Sequence, residues 1–128
     1  MTPEIPILTP IPSAPPSPAL EVLQRVFGFS AFRPGQEKII NTVLGGRDCI
    51  GVMPTGAGKS LTFQLPAKLL GGPVLVISPL ISLMKDQVDA LQQNGFRAEV
   101  LNSTVEFETR RERMGELRRG GLELLYLA

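Results

Sequence analysis

Residues 51–60 read GVMPTGAGKS and separate a short apolar run from a run with helical character. Gly56 and Gly58 have no Cβ, so the backbone can turn tightly there and direct successive N–H groups toward the oxygens of a polyphosphate. Lys59 adds a mobile cation, and Ser60 stands where such loops place a hydroxyl ligand of Mg²⁺. The stretch therefore predicts a phosphate-binding loop (P-loop) that takes a nucleoside triphosphate at the start of a helix.

The flanking residues fit the strand, loop and helix that this motif requires. Residues 48–53 predict a buried strand, with Cys49 as a small buried apolar residue, and residues 59–65 predict the first turns of a helix that the glycine pair at 71–72 ends. The strict P-loop pattern has glycine where this chain has Met53. A glycine-rich turn that binds no ligand is the alternative, which the flanking strand and helix disfavour.

Length and composition limit the class of protein. The 128 residues are the size of one domain, and 13 basic against 12 acidic residues provide no basic excess that would indicate nucleic acid. One cysteine and no histidine exclude an internal disulfide and a histidine-based metal site. The N-terminus lacks the pattern of a signal peptide, and no apolar run reaches membrane-spanning length. We therefore expect no membrane association and an intracellular protein, cytoplasmic if it is bacterial.

The order of predicted elements indicates the fold class. Residues 1–18 hold seven of the 12 prolines and predict a disordered tail, or alternatively a proline-rich ligand for a partner, ahead of a domain over 19–128. The predicted helices are 19–27 with Ser17 as cap, 34–44, 82–94, and 103–119 with a Ser103 and Glu106 capping box. The predicted strands after the loop are 74–77, which reads as buried on both faces, 98–101 and 122–127. This alternation predicts a three-layer α/β fold with a parallel sheet.

Two further segments contain residues that could bind ligands. The amide of Gln36 can pair bidentately with adenine, although composition alone favours a solvent-exposed helix residue. Ser78-Pro79-Leu80 follows a predicted parallel strand, at the edge where such folds bind ligands, and a plain strand-ending turn is the alternative. The arginines between 110 and 119 alternate with glutamates, so we expect a solvated ion-pair face there rather than a DNA-contacting one.

Three blocks of sequence together resemble the RecQ family of superfamily 2 DNA helicases. They are FGFSAFRPGQ at 27–36, MPTGAGKSLTFQLPA at 53–67 and SPLISLMKDQV at 78–88, and the resemblance extends over about 27–128. It implies the RecA-like P-loop fold of the first of two motor domains. It also implies an enzyme that hydrolyses ATP with Mg²⁺ to unwind DNA with 3′ to 5′ polarity in recombination and repair, acting on single-stranded and forked DNA.

The resemblance also assigns roles to individual residues. Lys59 and Ser60 would be catalytic, Ser60 as the Mg²⁺ ligand, and Arg33 and Gln36 would recognise adenine. The single-stranded DNA track would include Ser78, Pro79 and Leu80. The residues that would bind ATP are Arg33, Gln36, Pro54, Thr55, Gly56, Ala57, Gly58, Lys59 and Ser60.

Parts of the machinery that such an enzyme needs are missing from the sequence. Hydrolysis requires an acidic pair that positions Mg²⁺ and water, and an arginine from a second domain, but the chain contains no D-E-x-H box. We therefore expect a truncated first motor domain that is inactive alone. The alternatives are a non-catalytic P-loop fragment that binds nucleotide, and a piece of an RNA helicase of the same superfamily.

Overall fold

The computed structural model describes residues 17–54, 56 and 58–128, and the predicted tail lies almost wholly outside this part. The helices are α1 (Pro18–Arg25), α2 (Gln36–Leu44), α3 (Leu61–Gln64), α4 (Ile81–Gln93) and α5 (Phe107–Arg118), and a 3₁₀ turn (Leu65–Lys68) continues α3. The strands are β1 (Val74–Ile77), β2 (Ala98–Leu101) and β3 (Leu124–Leu127). Helices and strands alternate after the loop, as predicted.

The three strands form one parallel sheet in the order β1-β3-β2. The last strand in the sequence is therefore the central one. Its Tyr126 lies opposite Val76 of β1 on one side and Val100 of β2 on the other. This arrangement confirms the predicted α/β class and the parallel sheet.

Each face of the sheet carries its own apolar cluster, because successive side chains of a strand point to opposite faces. On one face, Val76, Val100 and Tyr126 pack with α4 and the 3₁₀ turn. The buried residues that α4 and its C-terminal turn contribute are Met84, Val88, Leu91 and Phe96. On the other face, Leu101 and Leu125 pack against α5. Helix, sheet and helix thus form the three predicted layers.

The helices that precede the loop form a separate cluster beneath α3. Leu23 of α1 and Ile40 of α2 are fully buried there, together with Leu61 and Leu65. The predicted cap is present, since the backbone N–H of Leu20 donates to Ser17 Oγ at 3.2 Å. This cluster fixes α2 beside α3, which brings the start of α2 to the loop.

The predicted strand over residues 48–53 is wrong. Ile50 and Val52 are 94% and 92% exposed, and Cys49 is exposed rather than buried. A strand needs a neighbouring strand for its hydrogen bonds and a core for its apolar face. None of the described strands pairs with this segment, so its apolar residues remain in solvent.

Burial of β1 on both faces was also predicted wrongly. Leu75 and Ile77 are 53% and 82% exposed, because α5 packs over β2 and β3 and leaves their side of β1 uncovered. The other side of β1, with Val74 and Val76, lies against the core. The apolar run correctly predicted a strand over residues 74–77, but it wrongly predicted that both faces of the strand are buried.

Two helix ends differ from their predictions. Glu106 is the N-cap of α5 without a side-chain cap bond, and Asn102 Oδ1 instead accepts from the Thr104 N–H at 2.9 Å, so the Ser103 capping box is absent. The helix after the loop is α-helical only to Gln64. Pro66 has no N–H to continue the α-helical ladder, so the chain tightens into the 3₁₀ turn.

Candidate nucleotide-binding site

The loop after residue 53 has the backbone conformation that its glycines predict. Gly56 and Gly58 have φ of 84° and 77°, in the left-handed region that other residues rarely adopt. A Cβ placed on Gly58 would overlap Nε2 of Gln36, so the neighbouring side chain fills the space that glycine leaves. Thr55 and Ala57, two of the predicted ATP-binding residues, lie outside the described part of the chain.

Arg33 and Gln36 hold the carbonyl groups of the loop. Arg33 Nη1 donates to the Gly56 carbonyl at 2.6 Å, and Gln36 Nε2 donates to the Gly58 carbonyl at 3.0 Å. Gln36 Oε1 in turn accepts from the Arg33 backbone N–H at 2.8 Å. Gln36 is only 3% exposed, so its interpretation as a solvent-exposed helix residue is wrong. The structure therefore joins the FGFSAFRPGQ block to the loop.

Lys59 and Ser60 connect the loop to α3. The Lys59 carbonyl accepts from the N–H of Thr62 at 3.0 Å, and the Ser60 carbonyl accepts from the N–H of Gln64 at 3.0 Å. The helix therefore begins directly after the loop, as predicted. Pro54 and Lys59 are exposed, whereas Ser60 is half-buried. A cation and a hydroxyl thus stand side by side at the helix start.

Ser78, Pro79 and Leu80 lie at the carboxyl edge of the sheet. The Ser78 N–H donates to the Leu127 carbonyl at 3.0 Å, and Ser78 Oγ accepts from the Leu80 N–H at 3.2 Å. Ser60, Ser78 and Leu80 line one cavity of about 270 Å³. The structure therefore brings the loop and the SPLISLMKDQV block to the same edge of the sheet.

A chain of hydrogen-bonded polar side chains reaches this cavity, which Gln87 and Tyr126 help to line, and sequence reasoning missed it. Gln64 Nε2 donates to the Tyr126 hydroxyl at 2.9 Å, and that hydroxyl donates to Gln87 Oε1 at 2.8 Å. Burial raises the pKa of the Tyr126 hydroxyl, and the hydrogen bond from Gln64 opposes this effect. The three residues are far apart in sequence, and no local pattern marks them.

Three basic side chains of α4, α5 and the C-cap of α5 pair with nearby carboxylates. Arg113 Nε lies 3.1 Å from Glu99 of β2, Arg119 pairs with Glu116, and Lys85 Nζ lies 2.7 Å from Asp89. The hydrogen bond and charge of Asp89 raise the pKa of Lys85. The pair of Arg119 with Glu116 is of the kind predicted for α5, whereas Arg113 pairs with a residue of β2.

A second charged cluster lies at the opposite, amino edge of the sheet. The Glu123 carboxylate accepts from Lys68 Nζ at 3.0 Å and from the Arg97 backbone N–H at 2.9 Å. Burial by itself would raise the pKa of Glu123, but the Arg97 N–H and the Lys68 ammonium together lower it below the usual value. Lys68 Nζ also lies 4.4 Å from the centre of the Phe96 ring. This cluster ties the 3₁₀ turn to the start of β3.

Among residues 17–54, 56 and 58–128, no helix is long and apolar enough to cross a membrane. The same residues contain no group of three or more histidine, cysteine, aspartate or glutamate side chains arranged to hold a metal ion.

The chain is similar to bacterial RecQ proteins, which confirms the resemblance seen in the sequence. It is 54% identical over 110 residues to the ATP-dependent DNA helicase RecQ of Haemophilus influenzae, covering 86% of this chain and 18% of that protein. It is 51% identical over 110 residues to the RecQ of Pasteurella multocida, covering 86% of this chain and 17% of that protein. The chain thus spans less than a fifth of the length of these relatives.

Two further comparisons concern the fold and the family. The crystal structure of a hypothetical ATP-dependent RNA helicase from Sulfolobus tokodaii matches with a TM-score of 0.68 at 20% identity, over 88% of this chain and 34% of that one. The match supports the RecA-like architecture. The DEAD/DEAH box helicase model matches residues 33–127, which include both the loop and the carboxyl edge of the sheet. The chain belongs to the DEAD/DEAH box helicase family.

Proposed function

We propose that this chain is the ATP-binding front part of the first motor domain of a RecQ-type ATP-dependent DNA helicase. The observation that carries the proposal is the pair of hydrogen bonds from Arg33 and Gln36 to the carbonyls of Gly56 and Gly58. These bonds hold the loop against α2. The similarity to RecQ proteins supports the same assignment for residues 19–128, with 1–18 as a tail.

In the proposed site the triphosphate lies in the loop formed by residues 54–60. The left-handed backbone at Gly56 and Gly58 suits a loop whose N–H groups surround phosphate oxygens. The exposed ammonium of Lys59 neutralises charge on the β- and γ-phosphates. Arg33 and Gln36 are the residues that we propose to recognise adenine, and both contact the loop through the Gly56 and Gly58 carbonyls.

The residues present also fit a Mg²⁺ ion that accompanies the nucleotide. Mg²⁺ prefers oxygen ligands and commonly takes one or two from protein, with phosphates and water providing the others. The Ser60 hydroxyl is such an oxygen, and it lines the cavity at the carboxyl edge of the sheet. When bound, the ion would neutralise charge that develops on the phosphates during transfer.

Single-stranded DNA and forked DNA are the proposed nucleic-acid substrates, with Ser78, Pro79 and Leu80 on the DNA track. Ser78 and Leu80 share a cavity with Ser60, so DNA bound there lies close to the nucleotide. RNA is the alternative substrate. A fluorescent oligo-dT and its oligo-U counterpart distinguish the two by affinity. An enzyme of this type works inside the cell, in the cytoplasm if the source is bacterial.

Lys59→Ala tests the nucleotide site. We expect this change to remove most of the affinity for a fluorescent ATP analogue, because the ammonium is the cation that the loop offers to the triphosphate. Lys38→Ala is the matched control, since Lys38 is an exposed lysine of α2. Circular dichroism verifies that both variants fold. Equal affinity of the Lys59→Ala variant and the unmodified chain would refute the site.

A further inference from the structure

A continuous path of hydrogen bonds runs along one face of the sheet, beside the cavity at its carboxyl edge. Gln64 is the last residue of α3, Tyr126 lies on the central strand, and Gln87 is in the second turn of α4. The two side-chain bonds are 2.9 Å and 2.8 Å long. The path therefore connects three separate elements through one hydroxyl group.

Each end of the path lies next to a proposed functional segment. The Gln64 N–H donates to the carbonyl of Ser60, so α3 transmits any shift of the loop to the Gln64 side chain. At the other end, Gln87 belongs to the helix that begins directly after Leu80. The path thus joins the proposed Mg²⁺ ligand to the helix that follows the proposed DNA track.

Both hydrogen bonds of the path can form at once, because their donors and acceptors follow one order along it. A tyrosine hydroxyl has a single proton, so it can accept from Gln64 while it donates to Gln87. Tyr126 and Gln64 are both buried, and the Phe63 ring meets the Tyr126 ring nearly edge-on at 6.4 Å. Because one hydroxyl group is hydrogen-bonded to both amides, a shift of one amide changes the hydrogen bond that the hydroxyl makes with the other.

We propose that Gln64, Tyr126 and Gln87 are positioning residues that couple nucleotide binding in the loop to the position of α4 and the Ser78–Leu80 turn. This inference rests on the proposed function. A nucleotide that draws Ser60 and α3 toward its phosphates moves the Gln64 amide, and the Tyr126 hydroxyl conveys this movement to Gln87.

Nuclear magnetic resonance on the ¹⁵N-labelled chain tests the coupling. We expect a non-hydrolysable ATP analogue with Mg²⁺ to shift the amide signals of residues 58–60 and also those of residues 81–84. Tyr126→Phe keeps the ring and removes the hydroxyl, so the shifts at 58–60 should remain while those at 81–84 are lost. Gln87→Leu should have the same effect, and Gln87→Glu, which keeps an acceptor, should restore the response of α4.

Val88→Ala is the matched control, because Val88 is the buried neighbour of Gln87 and is not part of the hydrogen-bonded path. This variant should retain the shifts at 81–84. Four results would overturn the coupling: no shift at 81–84 in the unmodified chain, an unchanged shift with Tyr126→Phe, no difference between Gln87→Leu and Gln87→Glu, or an equal loss with Val88→Ala. No shift at 58–60 in the unmodified chain would instead refute the proposed nucleotide site.

Discussion

Gly58→Ala disturbs the contact between the loop and α2 in two separable ways. Gly58 has φ of 77°, and a left-handed backbone costs a residue with a Cβ about 1–2 kcal/mol. The added Cβ also displaces Nε2 of the buried Gln36 from the Gly58 carbonyl, and loss of that hydrogen bond costs about 0.5–1.5 kcal/mol. We therefore expect the free energy of unfolding to fall by about 1.5–3.5 kcal/mol, measured by urea denaturation.

Gly46→Ala separates the backbone cost from the steric one. Gly46 has φ of 75°, and no described atom lies within 4 Å of a Cβ placed on it. The free energy of unfolding of this variant should fall by only about 1–2 kcal/mol. In a Gln36→Ala background there is no Gln36 amide for the added Cβ to displace. There, Gly58→Ala should lower the free energy of unfolding by no more than Gly46→Ala does. If Gly58→Ala and Gly46→Ala are equally destabilising in the unmodified chain, the Gln36 contact contributes nothing.

Three further results are expected. Glu123→Gln should lower the free energy of unfolding by about 1.5–3 kcal/mol at neutral pH, since it weakens charged hydrogen bonds. The folded-state pKa of Glu123 is lowered, so this stabilisation is present above the unfolded-state pKa and disappears as the pH falls through the folded-state pKa. An equal loss of stability by Glu123→Gln at acidic pH would contradict this prediction. ATP should bind more tightly than GTP by about 1–3 kcal/mol, with the preference lost in Gln36→Ala, as competition titrations would show. Finally, this 128-residue chain should release phosphate at background rates with or without single-stranded DNA, because one missing transition-state partner already costs about 10³-fold or more; DNA-stimulated release that Lys59→Ala abolishes would contradict this.

Elements with a strong local pattern were predictable from the sequence. The strand at 98–101 matches its predicted range, and helix α4 differs from its prediction by one residue at each end, because its helical spacing of apolar residues reflects burial against the core. The loop was predictable for a different reason. The conformations of Gly56 and Gly58 depend on the absence of a Cβ, a property of the residue itself.

Features that depend on distant partners were not predictable in the same way. Residues 48–53 have a composition suited to a strand, but composition does not reveal whether a neighbouring strand is present. Gln36 is buried where its side-chain amide is bonded to the carbonyl of Gly58, 22 residues away in sequence. The bond between Gln64 and Tyr126 spans 62 residues. Such contacts arise from topology, and no window of local sequence contains both partners.

The uncovered side of β1 has a consequence for handling the protein in solution. Leu75 and Ile77 are exposed, and β1 has β3 as its single neighbour among the described strands. An unpaired strand edge beside exposed apolar side chains is a template on which a second chain can add its own strand. We therefore expect self-association that increases with protein concentration, so dilute samples are the appropriate ones for titrations. A charged substitution such as Ile77→Lys should suppress the association, as light scattering would show.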